Sequence, residues 1–277
     1  MLNWNDEHTA LCKSMSKNWL SFRPIEENPN GLMMISMDII QKFTDCGFSI
    51  ETITNPQASY RPIIIARKEV NGARNTVGFF GHYDVEPVVK IEQWSSDPWK
   101  LVDKDNRWFG RGLADNLVPL AQRLILFDQI PSLPLNLIYV LQGEEEIGSP
   151  FALEMYPKID LPKVDLWIEE TGYFYKDGRQ RIMLFNRNIM IEKILAGIIE
   201  MNDVDDRGYT IRERPLNKAF GAEKCACLLH LVGDTPYLAI GPNDDFSTIH
   251  GANESISPKL LPVCTSQYEL IFKELST

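Results

Sequence analysis

A chain of 277 residues with 44% hydrophobic side chains has enough apolar material for a folded core, which excludes a disordered polypeptide. Its 28 Lys+Arg against 38 Asp+Glu leave a net charge of −10. A nucleic-acid backbone would be repelled, and the densest basic run, Arg207–Arg214, is diluted by Glu213 and preceded by Asp203, Asp205 and Asp206, so it reads as a solvated loop. No nucleic-acid partner is expected. No stretch approaches the roughly 18 uninterrupted apolar residues of a membrane span. The opening MLNWNDEHTA lacks the basic start and apolar core of a secretory signal, so a cytoplasmic protein is expected. The five cysteines, Cys12, Cys46, Cys225, Cys227 and Cys264, are odd in number and irregular in spacing, which fits a reducing compartment. Cys225-x-Cys227 lies in AEKCACLLHL and reads as a buried helix face rather than a metal pair.

The first element is a helix over 6–22, where Leu11, Met15, Trp19 and Phe22 recur at helical spacing and Asn5 or Asp6 caps the start. A second helix over 31–46 puts Leu32, Ile35, Ile39, Ile40 and Phe43 on one face and stops at Gly47. Then come short apolar runs, Ile63–Ala66, Val77–Gly81, Leu135–Leu141 and Val164–Ile168, of the kind that form strands buried on both faces. A helix over 116–130 separates the second and third runs, with Pro119 tolerable only in its first turn. A helix over 217–231, a strand over Tyr237–Ile240 and a last helix over about 259–275 follow. This alternation predicts an α/β three-layer sandwich around a largely parallel central sheet. Ligands of such sheets bind beyond the carboxyl ends of the strands.

Acids and histidines collect at those ends. His82 and Asp84 follow Val77–Gly81 in GHYDVEP, and residues two apart on extended chain face one side. Asp115 sits in the glycine-rich GRGLADN; Glu144, Glu145 and Glu146 follow LNLIYVLQG; Glu169 and Glu170 follow VDLWI; His250 lies in IHGANES. His8 and His230, standing alone, read as structural. Carboxylates crowded at one edge of a sheet repel each other unless positive charge is supplied, and no lysine or arginine accompanies each acid. A bound metal is the economical answer. Carboxylate and imidazole donors without cysteine suit zinc, manganese or cobalt.

GHYDVEPV, EQWSSDPW, GRGLADN, GEEEIGS, EETG and HGANES occur in one order across residues 78–256. Together they resemble the dinuclear metallopeptidase family of carnosine dipeptidase, aminoacylase, succinyl-diaminopimelate desuccinylase and carboxypeptidase G. The resemblance implies two divalent ions, zinc first. His82 and Glu170 would bind one ion and His250 and Glu146 the other, with Asp115 bridging, Glu145 as general base and Asp84 orienting His82. Glu169 is the reserve for Glu170. The substrate implied is a small peptide or an N-acyl amino acid, cleaved by a metal-activated water. The resemblance also implies a cis peptide bond after the bridging acid, between Asp115 and Asn116.

Two departures stand out. Leu117 and Val118 occupy positions where the family usually has lysine and glycine. More importantly, only residues 173–249, 77 in all, separate Gly172 from His250, and core elements must come from that span. The family's lid domain, which commonly supplies dimer contacts and an oxyanion-stabilising histidine, is expected to be missing. Residues 1–277 are expected to form one catalytic domain, with 173–215 as a shortened segment, a hairpin or short helix with Ile189–Ile199 on the core. Without the lid no family-type dimer is expected. Either Arg187, Arg212, Arg214 or Asn217 replaces its oxyanion donor, or a partner chain does, or the activity is slow; a partner chain or a large substrate would close the open cleft. Besides hydrolysis, two readings stay open: amide formation or acyl transfer on the same site, and a non-catalytic metal-binding relative.

Overall fold

The computed structural model describes residues 3–129, 133–169, 172–213 and 226–276. In chain order the elements are α1 (Asp6–Phe22), α2 (Pro29–Asp45), β1 (Ser49–Ile53), β2 (Ile63–Lys68), β3 (Asn75–His82), β4 (Val102–Lys104), β5 (Arg107–Phe109), α3 (Val118–Gln129), β6 (Leu135–Gln142) and α4 (Pro150–Met155). They continue with β7 (Leu166–Glu169), β8 (Tyr173–Phe174), β9 (Gln180–Phe185), α5 (Ile189–Val204), β10 (Tyr209–Glu213), β11 (Tyr237–Ala239), β12 (Asn243–Asp244), β13 (Ser255–Ile256) and α6 (Leu261–Leu275).

Local chemistry sets the helix ends. Asn5 caps α1 by accepting from His8 N, while His8 Nδ1 accepts from Asn5 N, so His8 has the structural role its isolation suggests. Pro29 opens α2 behind the cap Asn28, and Pro119 falls at the second residue of α3, where its missing N–H costs nothing.

Among the described residues the main sheet has the order β1-β2-β6-β3-β7-β11-β9-β8-β12, with β10 beside β9. Its centre, β6-β3-β7-β11, is parallel, and the carboxyl ends of these strands form one edge. Helices α1, α2, α3, α5 and α6 cover one face, whereas α4 and the wide helical turn Cys227–Val232 cover the other. This is the expected three-layer α/β sandwich. Burial on both faces explains why β3 and β6 read as unbroken apolar runs. The packing tolerates no side chain at Gly78, where a Cβ would lie 2.5 Å from the Trp167 ring. The helix expected over 217–231 falls partly outside the described residues, as does Cys225. Cys227 is buried beside Tyr156. The other additions to the sequence reading are the edge strand β1 and the small antiparallel sheet β13-β5-β4.

The described part of 173–215 is built into the main sheet. The strands β9 and β10 are adjacent and parallel, linked by α5, whose Ile191, Ile194, Leu195 and Ile198 are buried. Only residues 186–188 join β9 to α5. A buried amide cluster fixes this unit. Gln180 and Gln267 donate to each other's side-chain oxygens at 2.8 Å, and Asn202 donates to Gln180 at 2.8 Å. No helix among the described residues is long and apolar enough to cross a membrane.

Arg123 on α3 ties the helix layer to the carboxyl edge of the sheet. Fully buried, it donates to the main-chain oxygens of Glu169 (2.8 Å) and Ile240 (3.3 Å) and to the hydroxyls of Tyr139 and Tyr268, and it stacks over Phe79. Arg123→Leu leaves these buried acceptors without their charged donor, and should destabilise the fold by about 3 kcal/mol or more. Urea unfolding measures this; a loss below about 1 kcal/mol contradicts the anchoring role.

Candidate metal centre

His82 ends β3 and is buried at the carboxyl edge of the sheet. Its Nδ1–H donates to the Asp84 main-chain oxygen at 2.9 Å, which turns Nε2 towards Asp115 Oδ1 at 3.0 Å. The Asp84 carboxylate lies 3.4 Å from Nδ1 and has a second task. It accepts from Glu145 N at 3.1 Å and from Glu146 N at 3.0 Å, and so fixes the backbone of the two acids that follow β6. Glu144 turns away from them: its carboxylate accepts from Phe151 N and Ala152 N at the start of α4 and lies 3.5 Å from Arg61.

Asp115 presents one oxygen to each histidine. His82 Nε2 lies 3.0 Å from Oδ1, and His250 Nε2 lies 3.3 Å from Oδ2 and 3.1 Å from Glu146 Oε2. The Asp115–Asn116 peptide is cis. Leu117 and Val118, where lysine and glycine are usual, are buried in the core.

The turn carrying Asp115 is held by a residue more than a hundred positions away. Glu254, fully buried, accepts from Gly112 N (2.9 Å), Ala114 N (3.0 Å) and Asp115 N (3.3 Å), and from the Arg111 guanidinium at 2.7 Å. Arg111 also donates to the His250 main-chain oxygen at 3.0 Å. The Arg111–Glu254 pair therefore spaces the Asp115 turn from the His250 loop. Asn253 adds a further tie: its side chain accepts from Ser95 N and donates to Gln93 O.

Of the residues expected from the sequence, His82, Asp115, Glu146 and His250 converge and Asp84 underpins them. Glu170 lies outside the described residues, and Glu169 ends β7, buried. The oxyanion candidates Arg187 and Arg212 are not brought to the site. Phe185 pairs with Tyr237, the first residue of β11, so the loop after β9 sits at the opposite edge of the sheet, where Arg187 pairs with Glu192 and Glu213. Arg212 faces solvent on β10, opposite Met183. Arg214 and Asn217 lie outside the described residues.

The electrostatics are those of a cation site. Burial works against protonation of His82, but Asp115 and Asp84 outweigh it and raise its pKa well above the ordinary value. Hydrogen bonds that His250 donates to the Asp115 and Glu146 carboxylates push its pKa up to about 10. Against burial, the two histidines hold the Asp115 carboxyl well below the usual range. Burial raises Glu145 and Glu146. Glu146 Oε1 is buried with no hydrogen-bond partner, an orphaned acceptor that a cation would satisfy. Among the described residues two sets of side-chain atoms, each within 4.8 Å of one another, could hold a metal ion: His82, Asp115 and Glu146, and Glu86, Glu146 and His250. The donors fit divalent ions.

Residues 78–177 match the model of peptidase family M20/M25/M40. The chain is related to the M20 peptidases. It is 31% identical over 139 residues to a Cys-Gly metallodipeptidase of Saccharomyces cerevisiae, covering 48% of this chain and 27% of the relative. It is 36% identical over 171 residues to the Beta-Ala-His dipeptidase of Mus musculus, covering 56% of this chain and 35% of that enzyme. The matches thus span about a quarter to a third of the lengths of these curated relatives. The fold matches a Saccharomyces cerevisiae di-peptidase (TM-score 0.74, 13% identity, 98% of this chain and 97% of that one). It also matches human carnosine dipeptidase 1 (TM-score 0.71, 13% identity, 98% of each chain). The M20 relationship identified from the sequence motifs thus stands, with the α/β architecture they imply.

Sequence reading gave no role to Glu254, Arg111 or Glu86. The first two lie inside the motifs HGANES and GRGLADN, and their opposite charges were the one available signal.

Glu254→Gln should lower divalent-metal affinity about 10- to 100-fold with the circular dichroism unchanged, because the partner that fixes the Asp115 turn is lost. Calorimetric titration with zinc reads this, and an unaltered affinity refutes the positioning role. Proton competition provides a second check. At pH 7 the His250 imidazole, with its pKa at about 10, is protonated and must give up its proton to a cation. Metal affinity should fall between pH 8 and pH 6, with protons released on binding; a flat profile contradicts the site.

Proposed function

We propose that the chain is a metal-dependent hydrolase of amide or peptide bonds in small substrates, dipeptides or N-acyl amino acids. The observation that carries this reading is the placement of one Asp115 oxygen against each of His82 and His250, the arrangement of a bridging ligand, with Glu145 beside it. The dipeptidase names of the sequence relatives support it.

In this reading His82 and Glu170 hold one ion, His250 and Glu146 the other, and Asp115 both. Zinc is the first choice, manganese or cobalt the alternatives. Such ions, when bound, acidify water and polarise an amide carbonyl. Glu145 is the general base. Its backbone is fixed by Asp84, its side chain accepts from no donor among the described residues, and burial raises its pKa towards the range suited to proton transfer. It takes the proton of the attacking water and delivers it to the leaving amine. Asp84 keeps Glu145 and Glu146 apart in role by holding both main-chain N–H groups.

The same proposal takes residues 1–277 as one catalytic domain in which 173–215 stands where relatives carry a lid. Its support is the direct passage from β9 through residues 186–188 into α5. A family-type lid dimer is then not expected, and a partner chain or a large substrate closes the cleft. An open cleft leaves the site wetter and its electrostatics weaker, so turnover of free dipeptides should be slow. No disulfide joins the four described cysteines, which supports a cytoplasmic setting.

Glu145→Gln should keep its metal and lose turnover about 100-fold or more, whereas Glu146→Gln should lose metal first. Metal analysis together with hydrolysis of a dipeptide and N-acyl amino acid panel separates the two. The reverse pattern exchanges the assignments, and bound metal without turnover of any panel member in the parent protein overturns the reading.

A further inference from the structure

Glu86 is the one acid of GHYDVEP without a part in the scheme above. Its carboxylate shares with Glu146 and His250 a set of ligand atoms within 4.8 Å of one another, while His82 and Asp115 fall in the other set. The position is a rigid one. Val85 N donates to Pro24 O at 2.9 Å, and Pro87 restricts Glu86 to an extended backbone. Glu86 is half-buried, and no lysine or arginine among the described residues neutralises it. Beside it the Glu146 side chain, only 3% exposed, gives one oxygen to His250 and leaves the other buried without a partner. Two carboxylates so placed repel each other unless a cation lies between them.

Resting on the metal centre proposed above, we infer that Glu86 is a further protein ligand of the ion on the His250 side. That ion would then be held by Glu86 together with Glu146 and His250, whose ring also faces Asp115.

The test is zinc titration of the full chain by competition with a chromophoric chelator, with cobalt absorption as a second readout. The parent protein binds two ions. Glu86→Gln weakens one of them about tenfold or more, leaves the other unchanged and alters the cobalt spectrum. The same change adds nothing in a His250→Ala background, where that ion is already lost, and still weakens binding in a His82→Ala background. Two ions bound by Glu86→Gln with parental affinity and spectrum overturn the role of Glu86 and leave the metal centre standing. A parent protein that binds no divalent ion overturns both.

Discussion

Repulsion between carboxylates is the constraint on which this structure turns. Asp84, Asp115, Glu145 and Glu146 meet at the ends of β3 and β6, and each is fixed by a different device. Asp84 is neutralised by main-chain N–H groups, and Asp115 lies between two imidazoles on a turn held by Glu254. Glu254 is itself balanced by Arg111. Glu144, one residue before Glu145, is drawn out of the cluster by the start of α4 and by Arg61. The sheet brings the acids together, and this outer layer of partners lets them stay.

The same devices connect the site to the fold. Arg123 lies under the ends of β7 and β11 and joins the layer of α3 to the edge where His82 and the acids gather. Arg107 clasps Asp244 through two hydrogen bonds, so the small sheet and the loop leading to His250 move as one. The Gln180–Gln267–Asn202 cluster does the corresponding work for β9 and α5. Buried amides that satisfy one another specify a single register in a way apolar packing does not.

What the sequence made legible follows from range. The strands β3, β6 and β7 were readable because burial on both faces leaves an unbroken apolar run. The edge strand β1, SIETI, is largely exposed and carries no such signature, and the two- and three-residue strands β4, β5, β8, β12 and β13 are too short to show a period. At the site, His82, Asp115, Glu146 and His250 stand inside compact motifs and could be named. Arg111 and Glu254 are separated by 143 positions, and nothing local in either motif announces that they meet. Arg187 was a plausible oxyanion donor only while the direction of β9 was unknown. The strand runs antiparallel to β11 and carries Arg187 away from the edge where His82 and the acids meet.

The long span between Arg111 and Glu254 also orders the birth of the molecule. A chain emerging from the ribosome has His82, Asp115 and Glu146 in hand well before His250 and Glu254 exist. Until those late residues arrive, the turn bearing Asp115 has lost its clamp and Glu146 has no imidazole to face. The acids of the site are thus made before the partners that fix them, and their geometry waits for the last stretch of synthesis.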